Sequence, residues 1–170
     1  MPFKTSIIHE VNRPDSVQMT VNRTLRSDMS AVQNRLREIS DRYRVDIIYS
    51  FGSRAHEVRD FLSGQGEWDK SITSDVDPAV KVAPDMASMS VREKVGLTAE
   101  LEDLLGAQRV DLVILSESDP FLSANIVRGE RIFCRDPYLA DEYELYILRR
   151  AGDLAPLELE RLSIVFTNAG

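Results

Sequence analysis

From Ser27 onward apolar residues return every three or four positions, at Met29, Val32, Leu36, Ile39 and Tyr43, and this period predicts a helix with one buried face. The next run, Val45 to Phe51, is apolar almost throughout and ends at Gly52, which predicts a buried strand with a sharp stop. Residues Arg54 to Thr73 mix charges with Gly64, Gly66 and Trp68 and read as a short helix followed by a loop. A second strand is expected over Asp75 to Val82. After Pro84 comes a helix from about Ser88 to Leu105, with Val91, Val95, Leu101, Leu104 and Leu105 as its inner face. A third strand covers Arg109 to Leu115. A short helix near Phe121 to Val127, a stop at Gly129 and a brief apolar run from Arg131 to Cys134 follow. Asp136-Pro137 supplies the cap and first turn of another helix, and a last helix is expected from Pro156 to about Val165. Residues 1–26 are polar, hold Pro14 and show no period, so they are set apart as an arm or extension. The alternation predicts an α/β domain over 27–135, with 136–170 as a helical appendage packed on it.

Composition narrows the class. A chain of 170 residues with 43% apolar content can bury one substantial core. The single cysteine, Cys134, excludes an intrachain disulfide and an all-cysteine metal site. A formal charge of −7 disfavours a general polyanion binder, so nucleic acid is not expected as the main partner. A single nucleotide stays compatible, because a few local donors and a divalent cation neutralise a triphosphate inside an acidic protein. No apolar run reaches the roughly 18 to 20 residues that span a bilayer, and Met1 to Glu10 lacks the layout of a signal peptide. No membrane partner is expected, and the cytoplasm is the default address.

The candidate chemistry sits at the ends of the expected strands. In Asp75-Val76-Asp77 the two carboxylates are two apart, so on a strand both project from one face roughly 7 Å apart. Such charges repel unless a cation such as Mg²⁺ stabilises both ionised forms. Mg²⁺ takes oxygen ligands, commonly one or two carboxylates completed by phosphates and water. Asp111, at the head of another strand, could complete a two-ion arrangement or position an acceptor hydroxyl. Gly52 lets backbone N–H groups approach a phosphate, and Ser53 adds a hydroxyl where the next helix would begin. Lys81 continues the face of the acidic pair and Arg54 follows Ser53, so both are candidate phosphate contacts. Each group alone has a bland reading as a turn, a cap or a strand-edge charge. Their order among apolar strands gives them a joint meaning.

In that order the chain resembles the minimal nucleotidyltransferases of the DNA polymerase beta superfamily, antitoxin-like members included. The stretches that carry the resemblance are Ile47-Ile48-Tyr49-Ser50-Phe51-Gly52-Ser53-Arg54-Ala55, Ser74-Asp75-Val76-Asp77 and Val110-Asp111-Leu112-Val113. The segment Ile126 to Phe133 looks like the turn and strand that close many such domains, and the likeness covers about residues 30 to 135. The resemblance implies a small mixed sheet with helices on one side, to which this chain adds C-terminal helices. It implies transfer of a nucleoside monophosphate, AMP from ATP as the leading choice, to an acceptor. Asp75 and Asp77 would then bind one or two Mg²⁺ ions, Asp111 would bind metal or activate the acceptor, and Gly52 with Ser53 would hold the triphosphate. It also implies a small helical HEPN-type partner, as in toxin–antitoxin modules.

Two departures qualify the match. The interval from Ser53 to Asp75 is long, and residues 57–73 fill it as a surface loop at modest entropic cost. Pro78 stands where a ladder donor is usual, which suggests an edge strand or a bulge. His56 and Trp68 are weaker candidates for nucleotide contact, with surface roles favoured. Tyr138, Tyr143, Tyr146, Ile147 and Leu148 suggest core or subunit contact, and a homo-oligomer is left open. No phosphate-loop, zinc-protease or nucleophile-elbow motif occurs. The leading expectation is a Mg²⁺-dependent nucleotidyltransferase acting on a hydroxyl, with a protein acceptor first. The alternatives are an aminoglycoside-like acceptor and a noncatalytic nucleotide-binding or interaction module.

Overall fold

The structure, a computed structural model, describes residues 31–66, 75–86 and 88–167. The expected arm over 1–26, Met29, Trp68 and the stretch 67–73 lie outside those residues. Helix α1 is described over residues 31–42; Leu36 and Ile39 are fully buried, with Val32 and Tyr43 packed beside them. Arg44, at φ 54, makes the left-handed turn that sends the chain into strand β1, Val45–Phe51.

β1 lies inside a four-stranded sheet of order β3-β2-β1-β4, in which β2 is Asp77–Val82, β3 is Val113–Ile114 and β4 is Glu130–Cys134. It pairs antiparallel with β2 and β4, while β2 and β3 run parallel. β1 reads as a continuous apolar run because both faces of the sheet are covered. On one face Ile48, Val80 and Ile132 share a cluster with Leu36 of α1, Val58 of α2 (Ala55–Leu62) and Leu97 and Leu101 of α3 (Val91–Leu105). On the other, Ile47, Tyr49 and Ala79 meet Ala124 and Ile126 of α4 (Pro120–Ile126) and Ala140 and Ile147 of α5 (Pro137–Thr167). The mixed sheet is as expected. The one-sided cover describes α1 to α3, and the C-terminal helix closes the second face.

Four local expectations change. Val91 and Val95 are exposed, and the inner face of α3 is Leu97, Leu101 and Leu105. At about 100° per residue Val95 points some 200° away from Leu97, so the two cannot share a stripe. The expected third strand shrinks to Val113–Ile114 and an isolated parallel bridge, Val76 to Val110. The two expected C-terminal helices form one helix with Pro156 inside it. That proline removes a single hydrogen bond, to the carbonyl of Gly152, and both residues are exposed, so water takes the carbonyl.

Pro78 is neither on an edge strand nor in a bulge, since β2 lies between β1 and β3. The backbone of Val76 faces β3: its N–H donates to the Arg109 carbonyl at 3.2 Å, and its carbonyl accepts from the Asp111 N–H at 3.0 Å. Backbone groups alternate along a strand, so position 78 faces β3 as well. The missing N–H falls in the gap between the Val76 bridge and the Ala79–Val113 pair, which interrupts that ladder without shifting its register.

Candidate active site

The bridge between Val76 and Val110 joins two matching triplets, Asp75-Val76-Asp77 and Arg109-Val110-Asp111. Both valines are buried. Side chains alternate across strands, so the four charged neighbours are thrown to the opposite face together. The Arg109 guanidinium donates through Nε to Asp111 Oδ1 at 3.1 Å and through Nη2 to Asp111 Oδ2 at 3.3 Å, and its Nη1 stands 3.8 Å from Asp75 Oδ2. One cation thus spans two of the three predicted aspartates.

Asp77 is the more enclosed carboxylate, and its pKa is raised by burial first, then by the charges of Asp111 and Asp75. The charges of Asp111 and Asp75 are thus felt at Asp77. Phe51 pairs with Asp77 across the β1–β2 ladder, which brings Gly52 beside that carboxylate. Gly52 has φ +76, and a Cβ there would stand 2.4 Å from Asp77 Oδ2. Glycine is required twice over, by the backbone conformation and by the closeness of the acid.

Ser53 is exposed in the turn from β1 to α2. Arg54, at the N-cap of α2, is buried and donates from Nε to Glu57 Oε2 at 3.0 Å. Lys81 is not brought to the aspartates. Its ammonium bonds Asp46 Oδ2 at 3.1 Å and lies 5.3 Å from the centre of the Tyr143 ring, four residues along β2 from Asp77. Shared strand parity put Lys81 on the right face, but parity says nothing of distance along the strand.

Two clefts flank the cluster. One, of about 320 Å³, borders Gly52 and includes Ala55, His56, Asn125, Arg128 and Gly129. His56 is exposed there and its Nδ1 lies 2.7 Å from Glu130 Oε1. Gly129 is needed for the close approach of this wall: a Cβ would stand 2.6 Å from the Ser50 carbonyl oxygen. The other cleft, of about 550 Å³, runs along Asp111 to Val113 beside Lys94, Thr98 and Glu102 of α3. Arg109, Asn125 and Arg128 were not singled out from the sequence. For Arg109 a signal was available, in the mirror likeness of Arg-Val-Asp to Asp-Val-Asp.

Among the described residues no group of three Asp, Glu, His or Cys side chains is placed to hold a metal ion, so the expected three-carboxylate metal site of Asp75, Asp77 and Asp111 is not formed. One or two carboxylates suffice for Mg²⁺, since it keeps water and shares its coordination with phosphates. The residues fit such an ion through the donor set of Asp75 and Asp77 and the unfavourable charge on Asp77 that a cation would relieve.

Residues 34–138 match the family model described as Polymerase beta, Nucleotidyltransferase. No curated protein matches the chain. Among solved structures, a chain of a toxin–antitoxin complex with AMP-PNP is 20% identical, with TM-score 0.56 over 81% of this chain and 98% of its own. A chain of the tri-AMPylated Shewanella oneidensis HEPN toxin in complex with MNT antitoxin is 19% identical, with TM-score 0.54 over 84% and 99%. A chain of the MntA–HepT toxin–antitoxin is 18% identical, with TM-score 0.53 over 83% and 99%. At these identities the likeness is one of fold.

Proposed function

The chain belongs to the polymerase beta nucleotidyltransferase family, and from that premise we propose that it transfers AMP from ATP to a hydroxyl on a protein acceptor. Asp75 and Asp77 would hold Mg²⁺, which, when bound, offsets charge on the polyphosphate and favours ionisation of the attacking oxygen. Gly52 and Ser53 take the triphosphate on the side of the smaller cleft, where Arg128 adds a cation. Asp111 faces the larger cleft and accepts the proton of, or orients, an entering hydroxyl. The observation that carries this reading is the closeness of Gly52 to Asp77, which places a phosphate-accommodating turn directly against a carboxylate with a raised pKa.

A protein acceptor is supported by the open larger cleft and by the relatives, whose complexes include an AMPylated HEPN toxin and AMP-PNP. A small helical HEPN-type protein is therefore the acceptor to test first. The cytoplasm is the proposed location. No helix among the described residues is long and apolar enough to cross a membrane. The rival reading, a nucleotide-binding module without turnover, draws on Arg109, which already neutralises Asp75 and Asp111. The two separate by incubating the protein with ATP labelled at the α-phosphate, Mg²⁺ and such a partner. Label should move to the partner and be lost with Asp77→Asn. Binding of ATP with no transfer to any acceptor would favour the module, and equal transfer by Asp77→Asn would refute the site.

A further inference from the structure

Helix α5 carries a second apolar stripe that the sheet does not cover. Leu139, Tyr146, Leu157 and Ile164 are each more than half exposed, while Ala140, Ile147 and Ala151 form the buried face. The intervals between the four are seven, eleven and seven residues. Seven residues fall just short of two helical turns and eleven just beyond three, so the opposite drifts cancel and the four stay on one line. The series reads the same in both directions about a midpoint between Ala151 and Gly152.

A stripe with that property is complementary to itself. We propose that it binds a second copy of this chain, two α5 helices packing antiparallel about a two-fold axis at that midpoint. Leu139 then meets the partner's Ile164, and Tyr146 meets the partner's Leu157, so each exposed side chain gains an apolar neighbour. Arg149 and Asp153 lie one turn apart on one flank of the stripe. Antiparallel pairing brings each Arg149 beside the partner's Asp153, so opposite charges meet twice.

The body of the domain offers a matching seat. A groove of about 350 Å³ borders Leu139 and is walled by Pro84, Lys81 and Tyr143. It lies where the last turn of the partner's α5 arrives. A single occupant thus accounts for both the stripe and the groove. The inference does not depend on nucleotidyl transfer.

The test uses the full chain with Cys134→Ala. Within one helix, positions 146 and 157 are separated by about 16 Å along the axis, beyond disulfide reach, so Tyr146→Cys with Leu157→Cys can link only between copies. Mild oxidation should give a covalent dimer on a non-reducing gel, and sedimentation of the unaltered chain should give twice the mass of one copy. Asp153→Arg should weaken self-association about tenfold, and adding Arg149→Asp should restore it, with helical circular dichroism unchanged in both. A chain that stays monomeric overturns the proposal, whether or not a different helical protein covers the stripe. So does a dimer in which the cysteine pair fails to crosslink.

Discussion

Toward β1, the strand carrying Asp77 is paired at six positions from Val82 to Asp77 itself; toward β3 it holds only Ala79, Val80 and the separate Val76 bridge. The first flank fixes Asp77 against Gly52. The second hangs Asp111 beside a broken ladder, with Arg109 as its nearest counter-charge. The proposed nucleotide side of the site is thus preformed, whereas the proposed acceptor side is held by one bridge and the Arg109 ion pair. This division suits a transferase whose donor is constant and whose acceptor must be received from outside.

The largest effect should come from the preformed flank. Asp77→Asn should lower transfer by about a thousandfold or more, because a metal ligand and a transition-state charge partner are lost together. The same substitution should raise the metal-free melting temperature at neutral pH. The folded-state pKa of Asp77 is raised, so the native state holds its proton more tightly than the unfolded chain does. Without metal, stability therefore falls as pH rises from the ordinary carboxylate range through the raised value, and Asn removes that loss. Calorimetry of both proteins across that range checks the sign.

Gly52→Ala should come next. It places a Cβ where Asp77 Oδ2 now stands and costs about 1–2 kcal/mol for the left-handed backbone alone. Transfer should drop about a hundredfold, with a lower melting temperature, and kinetics beside thermal denaturation would report both.

On the looser flank, Arg109→Ala should remove a competitor for Asp75 and Asp111. Mg²⁺ should then bind severalfold more tightly by calorimetric titration, while metal-free stability at neutral pH declines through unrelieved repulsion. Weaker Mg²⁺ binding would mean that Arg109 orients the ligands instead of competing for them. The smallest effect belongs to Pro78→Val. The restored donor is worth about 1 kcal/mol, offset by about 0.4–1 kcal/mol from a freer unfolded chain, so the melting temperature should barely move. Amide exchange around Val113 should nevertheless slow as the ladder closes.

The same division governs what the sequence made legible. Val45 to Phe51 was readable because a strand covered on both faces is apolar almost throughout, and Gly52 marks its own turn; the strand expected over Asp75 to Val82 begins two residues later, at Asp77. The Asp-Val-Asp spacing fixed a shared face for its carboxylates, and the Val76 bridge confirms that geometry. Arg109 escaped notice because its role depends on which strand lies beside β2, a pairing that periodicity does not encode. Lys81 was overreached for the converse reason, since a residue on the correct face can still lie at the far end of a strand and bond Asp46. Val91 and Val95 misled because an exposed valine at a helix start carries the same symbol as a buried one. Pro156 suggested a boundary, yet an exposed helix position tolerates the single lost hydrogen bond.

The proposed Mg²⁺ site at Asp75 and Asp77 is tested most directly by following the Asp77 carboxyl carbon by NMR during a pH titration, with and without Mg²⁺ and a non-hydrolysable ATP analogue. Without the ion it should titrate above the ordinary aspartate range, and with the ion and analogue its pKa should fall below that range. An ordinary pKa that neither addition moves would contradict the site.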